Sequence, residues 1–258
     1  MLRKCTEKDK KRLLDYLEKE PALNLFTIGD IEMYGFESSS QDVWCYENEA
    51  LEIEGVLLRY KKNLIPTHSI DFSGIEEFIS LIRTLDFTYL SGKQAILKDY
   101  QEAFPSLIAT STYFVECQKL AEKVDTTRVE DLEVEGISEY FQLMRTCFNK
   151  CELVAEEVVE KIKSGKAVMK IVKNQAGKIV AGGEVSVESQ TSGMIIGVGT
   201  LPEERGHGFA SAVVSELVTH CHEQGKSACL FYHNPIAGKI YKRLGFQDLD
   251  QWMMLKKK

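Results

Sequence analysis

A mixed α/β fold in two lobes is what this 258-residue sequence predicts. Three observations carry the expectation. Stretches with helical spacing alternate with strand-like runs along the whole chain. The pattern starts afresh near Thr126. In the second half, an antiparallel run of strands precedes a helix, strand, helix, strand ending. The length suits one large domain or two ordinary ones, and the division falls at 1–125 and 126–258.

In the first half, "TEKDKKRLLDYLEKEPALNLF" opens on Thr6, a capping residue. Leu13, Leu14 and Leu17 follow at helical spacing until Pro21 interrupts. "DVWCYEN" and "LEIEGVLLRYKKNLIPT" read as strands. "SGIEEFISLIRTL" reads as a helix with Ile75, Phe78, Ile79 and Ile82 on one face. From about Phe104 to Val124 the chain reads as a connection holding one strand, "TYFVECQKL". "NLFTIGDIEMYGF", with Asn24, Asp30 and Gly35, fits a helix and its exit turn, or a substrate-side surface.

In the second half, "GISEYFQLMRTCF" and "AEEVVEKIKSG" predict two helices, the latter stopped by Gly165. "AVMKIVK" and "KIVAGGEVSVES" flank the turn "NQAGK" as a hairpin, and "GMIIGVGT" follows. A helix then carries Ala210, Val213, Val214, Leu217, Val218 and Cys221 on one face and ends at Gly225. "SACLFYH" is a buried-type strand. "NPIAGKIYKRLGF" begins a last helix with Asn234 as N-cap, Pro235 at the first turn and Gly245 at the exit.

Composition narrows the function. Hydrophobic residues make up 44% and charged residues 28%, the balance of a soluble protein with a core. A net charge of −7 argues against nucleic acid as a partner. No apolar run is long enough to span a bilayer, and the start lacks a signal-peptide core. Seven cysteines without a CxxC pair indicate neither a disulfide framework nor a zinc ribbon. A cytoplasmic protein without a bound metal is expected. Cys147 and Cys151, one helical turn apart, read as core packing; His220 and His222 read as a helix end.

The stretch "TLPEERGHGFASAVV" carries the chemistry. A helix start offers unpaired N–H groups and the positive end of the dipole. Gly206 and Gly208 clear side chains from that place, so a phosphate or pyrophosphate can lie on the backbone. Arg205 adds a charge there, or turns to solvent, or pairs with Glu203 or Glu204. A dinucleotide fingerprint fails because Pro202 stands where its third glycine belongs, and no Gly-Lys-Ser/Thr ends a P-loop.

These residues resemble the acyl-CoA signature of the GNAT superfamily of N-acetyltransferases. That signature is Arg or Gln, two residues, Gly, one residue, Gly or Ala; here it is Arg205, Gly208 and Ala210. "NPIAGKIYKRLGF" is similar to the superfamily's second signature through Asn234, Ala237, Tyr241 and the Gly245–Phe246 pair. The resemblance covers the second half. It implies a GNAT-like mixed, mostly antiparallel central sheet flanked by helices, preceded by a degenerate GNAT-like lobe without the cofactor signature.

The resemblance also implies roles. The strand ending at Val198, Gly199 and Thr200 would part from "SACLFYH" to pair with the pantetheine arm of acetyl-CoA. The backbone of Gly206, His207, Gly208, Phe209, Ala210 and Ser211 would hold the pyrophosphate. Asn234 would touch the CoA arm as well as cap its helix. The Val198 amide would face the developing oxyanion, and Tyr241 would protonate the departing thiolate. Some relatives carry a glutamate where Cys229 stands. Glu184 is a candidate base acting through water, or an outward strand residue, since alternation leaves its face open.

The expected activity is direct acetyl transfer to an amine of a small molecule or peptide, by a monomer or homodimer. The alternative is a non-catalytic acyl-CoA-binding regulatory protein.

Overall fold

The structure is a computed structural model that describes residues 1–148 and 154–258. Its contacts divide the chain into two compact units, Met1–Phe114 with Asp248–Lys258, and Val115–Gln247.

The first unit runs through β1 (Leu2–Lys4), α1 (Lys10–Leu17), α2 (Leu25–Tyr34), β2 (Gln41–Glu47), β3 (Ile53–Tyr60), β4 (Asn63–His68), α3 (Ile75–Thr84), β5 (Tyr89–Lys93) and α4 (Gln94–Ala103). Its strands lie in the order β1, β2, β3, β4, β5, and then β12 (Gln247–Lys256), the last strand of the chain. Only β4 and β5 pair in parallel, through the crossover α3. "LEIEGVLLRYKKNLIPT" is a hairpin, with Tyr60 opposite Asn63 and Lys61 at φ 51° in its turn.

Three elements of the first unit escaped the sequence reading, β1, β5 and α4. "YLSGK" holds Ser91 and Gly92 at its middle, where a turn signal hides a strand. The helix follows with no residue between, so no boundary marks it. The α3 face behaves as its spacing predicts: Phe78, Ile79 and Ile82 are buried against Leu90, Leu97 and Tyr100. The N-terminal strand is tied by Arg3, whose guanidinium reaches Asp9 at 2.7 Å and Glu47 at 2.9 Å. That guanidinium holds the Asp9 carboxyl down at about 2.

The chain leaves the first unit within β6 (Ile108–Cys117). The second unit then holds β7 (Val129–Asp131), α5 (Ile137–Phe148), α6 (Ala155–Lys163), β8 (Val168–Lys173), β9 (Ile179–Glu188), β10 (Ser192–Thr200), α7 (Phe209–Glu223), β11 (Ser227–Tyr232) and α8 (Pro235–Leu244). Strand order is β11, β10, β9, β8, β7, antiparallel except for β10 with β11. The expected hairpin turn is closed by Asn174, whose side-chain oxygen accepts from Ala176 and Lys178 N–H.

Helices cover both faces. A Cβ on Gly183 would meet Leu217 and Val213 of α7, and one on Gly182 would meet Tyr140 of α5. The closing strand Gln247–Lys256, placed in the second lobe by a cut at residue 125, pairs from Trp252 to Lys256 with β5 of the first unit. Among the described residues, no helix is long and apolar enough to cross a membrane. Six of the cysteines are free thiols, and Cys151 lies outside the described residues.

Helix α2 carries a carboxyl in an unusual setting. Among the described residues, the Asp30 side chain has no hydrogen bond and no ion pair, and burial pushes it up to about 7. Its ionised form is disfavoured in the fold, so its penalty grows as pH rises from the unfolded carboxylate range to about 7 and is constant above. Asp30→Asn is therefore expected to gain on the parent between pH 4 and pH 8. The gain is on the order of 2–4 kcal/mol, read from urea denaturation at each pH; a pH-independent difference contradicts it.

Candidate acyl-CoA site

Strands β10 and β11 pair for only four residues, Ser192 to Ile195 against Ser227 to Leu230. Beyond them, β10 continues to Thr200 held from its other side alone. Gly199 and Thr200 lie opposite Gly182 and Ala181 of β9. One extra residue enters between Ile196 and Gly199, a bulge with Gly197 at φ 64°. The expected parting at Val198, Gly199 and Thr200 is thus present in the sheet. It leaves one edge of β10 without a β11 partner. The hydroxyl of Thr200 is buried without a hydrogen-bond partner, at the same end of the strand.

A short turn of 3-10 helix, Pro202–Glu204, leads into the loop. Gly206 (φ 85°) and Gly208 (φ 80°) both take the left-handed backbone that residues with a Cβ avoid. A Cβ built on either meets nothing within 4 Å, so the space over the loop is open. Gly208 is the N-cap of α7 and offers no side chain to it. The N–H groups of Phe209, Ala210 and Ser211 open that helix, at the positive end of a dipole fifteen residues long.

Cations surround this end of α7, although the chain is acidic overall. Arg205 makes no ion pair with Glu203 or Glu204 among the described residues; its Nε donates to the Thr200 carbonyl at 3.2 Å, linking loop to strand end. His207 Nδ1 donates to the Glu204 carbonyl, 3.1 Å away, and its ring stacks on Phe209. Two further residues escaped the sequence reading. The Arg128 guanidinium lies 4.8 Å over the Phe209 ring. Arg243 donates to the buried Ser211 hydroxyl at 2.8 Å and pairs with Glu122. Neither arginine belongs to the glycine loop in sequence, so only the fold brings them in.

Tyr241 sits on α8 with 7% of its surface exposed, against Tyr232 and Phe246 with ring centres 5.7 Å away. Burial pushes its hydroxyl up to about 12, so it keeps its proton at neutral pH. Asn234 caps α8 as its position predicts, its side-chain oxygen accepting from Ile236 N–H at 2.9 Å.

The face of Glu184 is settled by its neighbours. Gly182 is covered by α5 and Gly183 by α7, so alternation turns Glu184 to the α5 side. It is half-buried opposite Ile196, and burial raises its carboxyl. Cys229, opposite Met194, is fully buried, and burial pushes its thiol well above the usual range. A shallow groove of about 450 Å³ in the first unit, along Glu76, Glu77, Ser80 and Leu81, contains none of these residues.

An α/β domain whose sheet opens beside an uncapped helix start is the class these features define. The family model for GNAT acetyltransferases matches residues 163–255. No curated protein sequence matches the chain. Among solved structures, a GNAT-family acetyltransferase from Colwellia psychrerythraea is 15% identical over the whole of both chains, with a TM-score of 0.60. A GCN5-related N-acetyltransferase from Sphaerobacter thermophilus is 12% identical over 100% of this chain and 95% of its own, with a TM-score of 0.66. A Drosophila protein is 12% identical over 98% of each chain, with a TM-score of 0.69. What these structures share with the chain is the fold.

The cap on α8 gives a stability test. Asn234→Ala should cost about 1 kcal/mol and Asn234→Ser much less, measured as urea midpoints. Equal midpoints for all three proteins would remove the cap from the account of α8.

Proposed function

We propose that the chain is an acetyl-CoA-dependent N-acetyltransferase, transferring an acetyl group directly to an amine of a small molecule or peptide. The observation that carries this reading is the parting of β10 from β11 beside the uncapped start of α7. A ligand with two secondary amides and a pyrophosphate answers both features at once. The unpartnered Thr200 hydroxyl and the open space over Gly206 and Gly208 support the same fit. The transferase lobe is residues 126–258, and the lobe 1–125 has no cofactor signature.

Acetyl-CoA would supply the acyl carbon as an activated thioester. The free edge of β10, at Val198, Gly199 and Thr200, pairs with the amides of the arm. The N–H groups from Gly206 to Ser211, with Arg205, receive the pyrophosphate. Asn234 stands at the start of α8, where it contacts the arm. The Val198 N–H stabilises charge on the carbonyl oxygen. Glu184, its carboxyl raised toward neutrality, takes the proton of the incoming ammonium, directly or through water. Tyr241, protonated at neutral pH, donates to the sulfur as it leaves.

Glu184 lies on the α5 side of the sheet. Tyr241 belongs to α8, which Arg243 ties to α7 on the opposite side. Base and acid thus approach the open strand pair from opposite faces. That suits an amine entering on one side while the thiol departs on the other.

Tyr241→Phe should lower kcat roughly 100-fold, within the range of lost general acid catalysis, with CoA affinity unchanged. Unchanged kcat would remove the residue from the mechanism. Gly206→Val with Gly208→Val should abolish acetyl-CoA binding in calorimetry, and retained binding would refute the loop assignment. Thiol release over an amine panel decides between transferase and sensor: acetyl-CoA binding with no release on any amine favours the regulatory reading. With an active amine in hand, the acidic limb of kcat/KM should lie above the ordinary carboxylate range and disappear in Glu184→Gln.

A further inference from the structure

At one end of the first unit's sheet, cations collect that the transferase reading does not use. The β3–β4 turn carries Lys61 and Lys62, and Asn63 just after it lies opposite Tyr89 of β5. Lys256 of β12 pairs with Tyr89 from the other side. Thr88 holds the three segments together: its N–H donates to the Lys62 carbonyl at 2.8 Å, and its carbonyl accepts from Lys257 N–H at 3.0 Å. Arg83, near the end of α3, joins through Phe104, whose ring lies 6.2 Å from Phe87. Lys61, Lys62, Arg83, Lys256, Lys257 and Lys258 are all exposed.

The way these charges are held sets them apart. Elsewhere in the first unit, Arg3 sits on Asp9 and Glu47, Arg59 on Asp42 and Lys93 on Glu20. At this end the partners are mostly rings. Lys257 lies 3.8 Å from the centre of Phe87, Lys256 5.4 Å from Tyr89, Lys61 5.4 Å from Tyr60 and Arg83 5.8 Å from Phe104. None of these four forms an ion pair among the described residues; Lys62 pairs with Asp86 at 2.7 Å. An ion pair cancels its charges, whereas a cation over a ring keeps its own. The whole chain carries −7, yet the charge left uncancelled by these contacts is positive.

The rings underneath narrow the choice of anionic partner. Phe87 is buried, and Tyr60 and Tyr89 are half-buried beneath lysines, so nucleic-acid bases find no open ring to stack on. Five of the six cations are lysines, compact point charges without the planar fork that fixes a carboxylate in one geometry. Such charges suit a broad array of phosphates, which asks for cations within reach and no fixed spacing. Clusters of about four to eight Lys and Arg residues attract anionic bilayers in this way. Repulsion from the acidic remainder of the chain is screened beyond about 8 Å at physiological salt.

We propose that this end of the first unit is a peripheral docking surface for the anionic phospholipid headgroups of a bilayer, its six cations resting on lipid phosphates with no segment inserted. The surface is independent of the acetyl-transfer reading, since none of these residues belongs to the second unit.

The test is co-sedimentation of the full chain with vesicles of phosphatidylcholine and phosphatidylserine in equal parts, against vesicles of phosphatidylcholine alone. The parent protein should pellet with the anionic vesicles only. It should be released when salt is raised to about 1 M, where the screening length falls to about 3 Å. Each cation removed should weaken binding about fivefold. Lys256→Gln, Lys257→Gln and Lys258→Gln together should therefore lose on the order of 100-fold, and Lys61→Gln with Arg83→Gln roughly 25-fold. Lys163→Gln, Lys166→Gln and Lys178→Gln together make the same charge change as the first set, on the second unit, and should bind within about twofold of the parent. Thermal melts show that each variant is folded. No pelleting with the anionic vesicles, equal pelleting with both kinds, an equal loss in the second-unit variant, or tighter binding to poly-glutamate or duplex DNA at equal charge would each overturn the proposal.

Discussion

The site in the second unit depends on two neighbouring strands ceasing to pair. After Ile195 and Leu230, the ladder between β10 and β11 stops while both strands continue. A sheet interior that gives up backbone partners is costly, because a buried N–H or C=O without a partner loses the hydration it had in the unfolded chain. The arrangement persists because the other edge of β10 stays paired to β9 as far as Thr200. The Leu201 N–H then bonds to the Val180 carbonyl at 2.9 Å, extending the hold into the loop. The gap is thus fixed before any ligand arrives.

The glycine loop extends the same logic. Strand β10 ends at Thr200, and α7 must start nine residues later over the sheet. Two left-handed glycines turn the chain without placing a side chain over the helix start. Arg205 then bonds back to the Thr200 carbonyl, so strand edge and helix start are held as one unit. Arg243 joins α8 to α7 through Ser211, bringing Tyr241 to the same region from another helix. None of these links is large, but each removes a freedom that would otherwise be lost on binding.

Much of this was legible in the sequence because it rests on local chemistry. The Asn234–Pro235 start, the Gly245 exit, the Asn174 turn and the Gly206–Gly208 loop each need particular residue types at fixed places. The apolar stripes of α3 and α7 follow from helical period. What escaped were features set by distant parts of the chain. Arg128 over Phe209, and Glu122 with Arg243, join residues far apart in sequence. The last strand pairs with β5, and no pattern within residues 247–256 names that partner. The face of Glu184 also needed tertiary neighbours, since a strand with Gly182 and Gly183 in its middle gives no apolar alternation to read.

The arrangement of nucleophiles bears on how an acyl group would pass. A covalent acyl-enzyme route needs a thiolate or an activated hydroxyl within the gap. In the second unit, burial raises the described thiols: Cys117 to about 11, Cys221 to about 12, and Cys147 and Cys229 in the same direction. Cys229, the cysteine of β11 itself, is fully buried and lies at a paired position, before the strands part. The Ser211 hydroxyl at the helix start accepts from Arg243, which leaves it poorly set up to attack. An open strand pair with a raised carboxyl on one face and a protonated phenol on the other needs no such nucleophile. Under the proposed acetyl-transfer reading, that economy would fit attack by the acceptor itself, with the protein's part being alignment and proton handling.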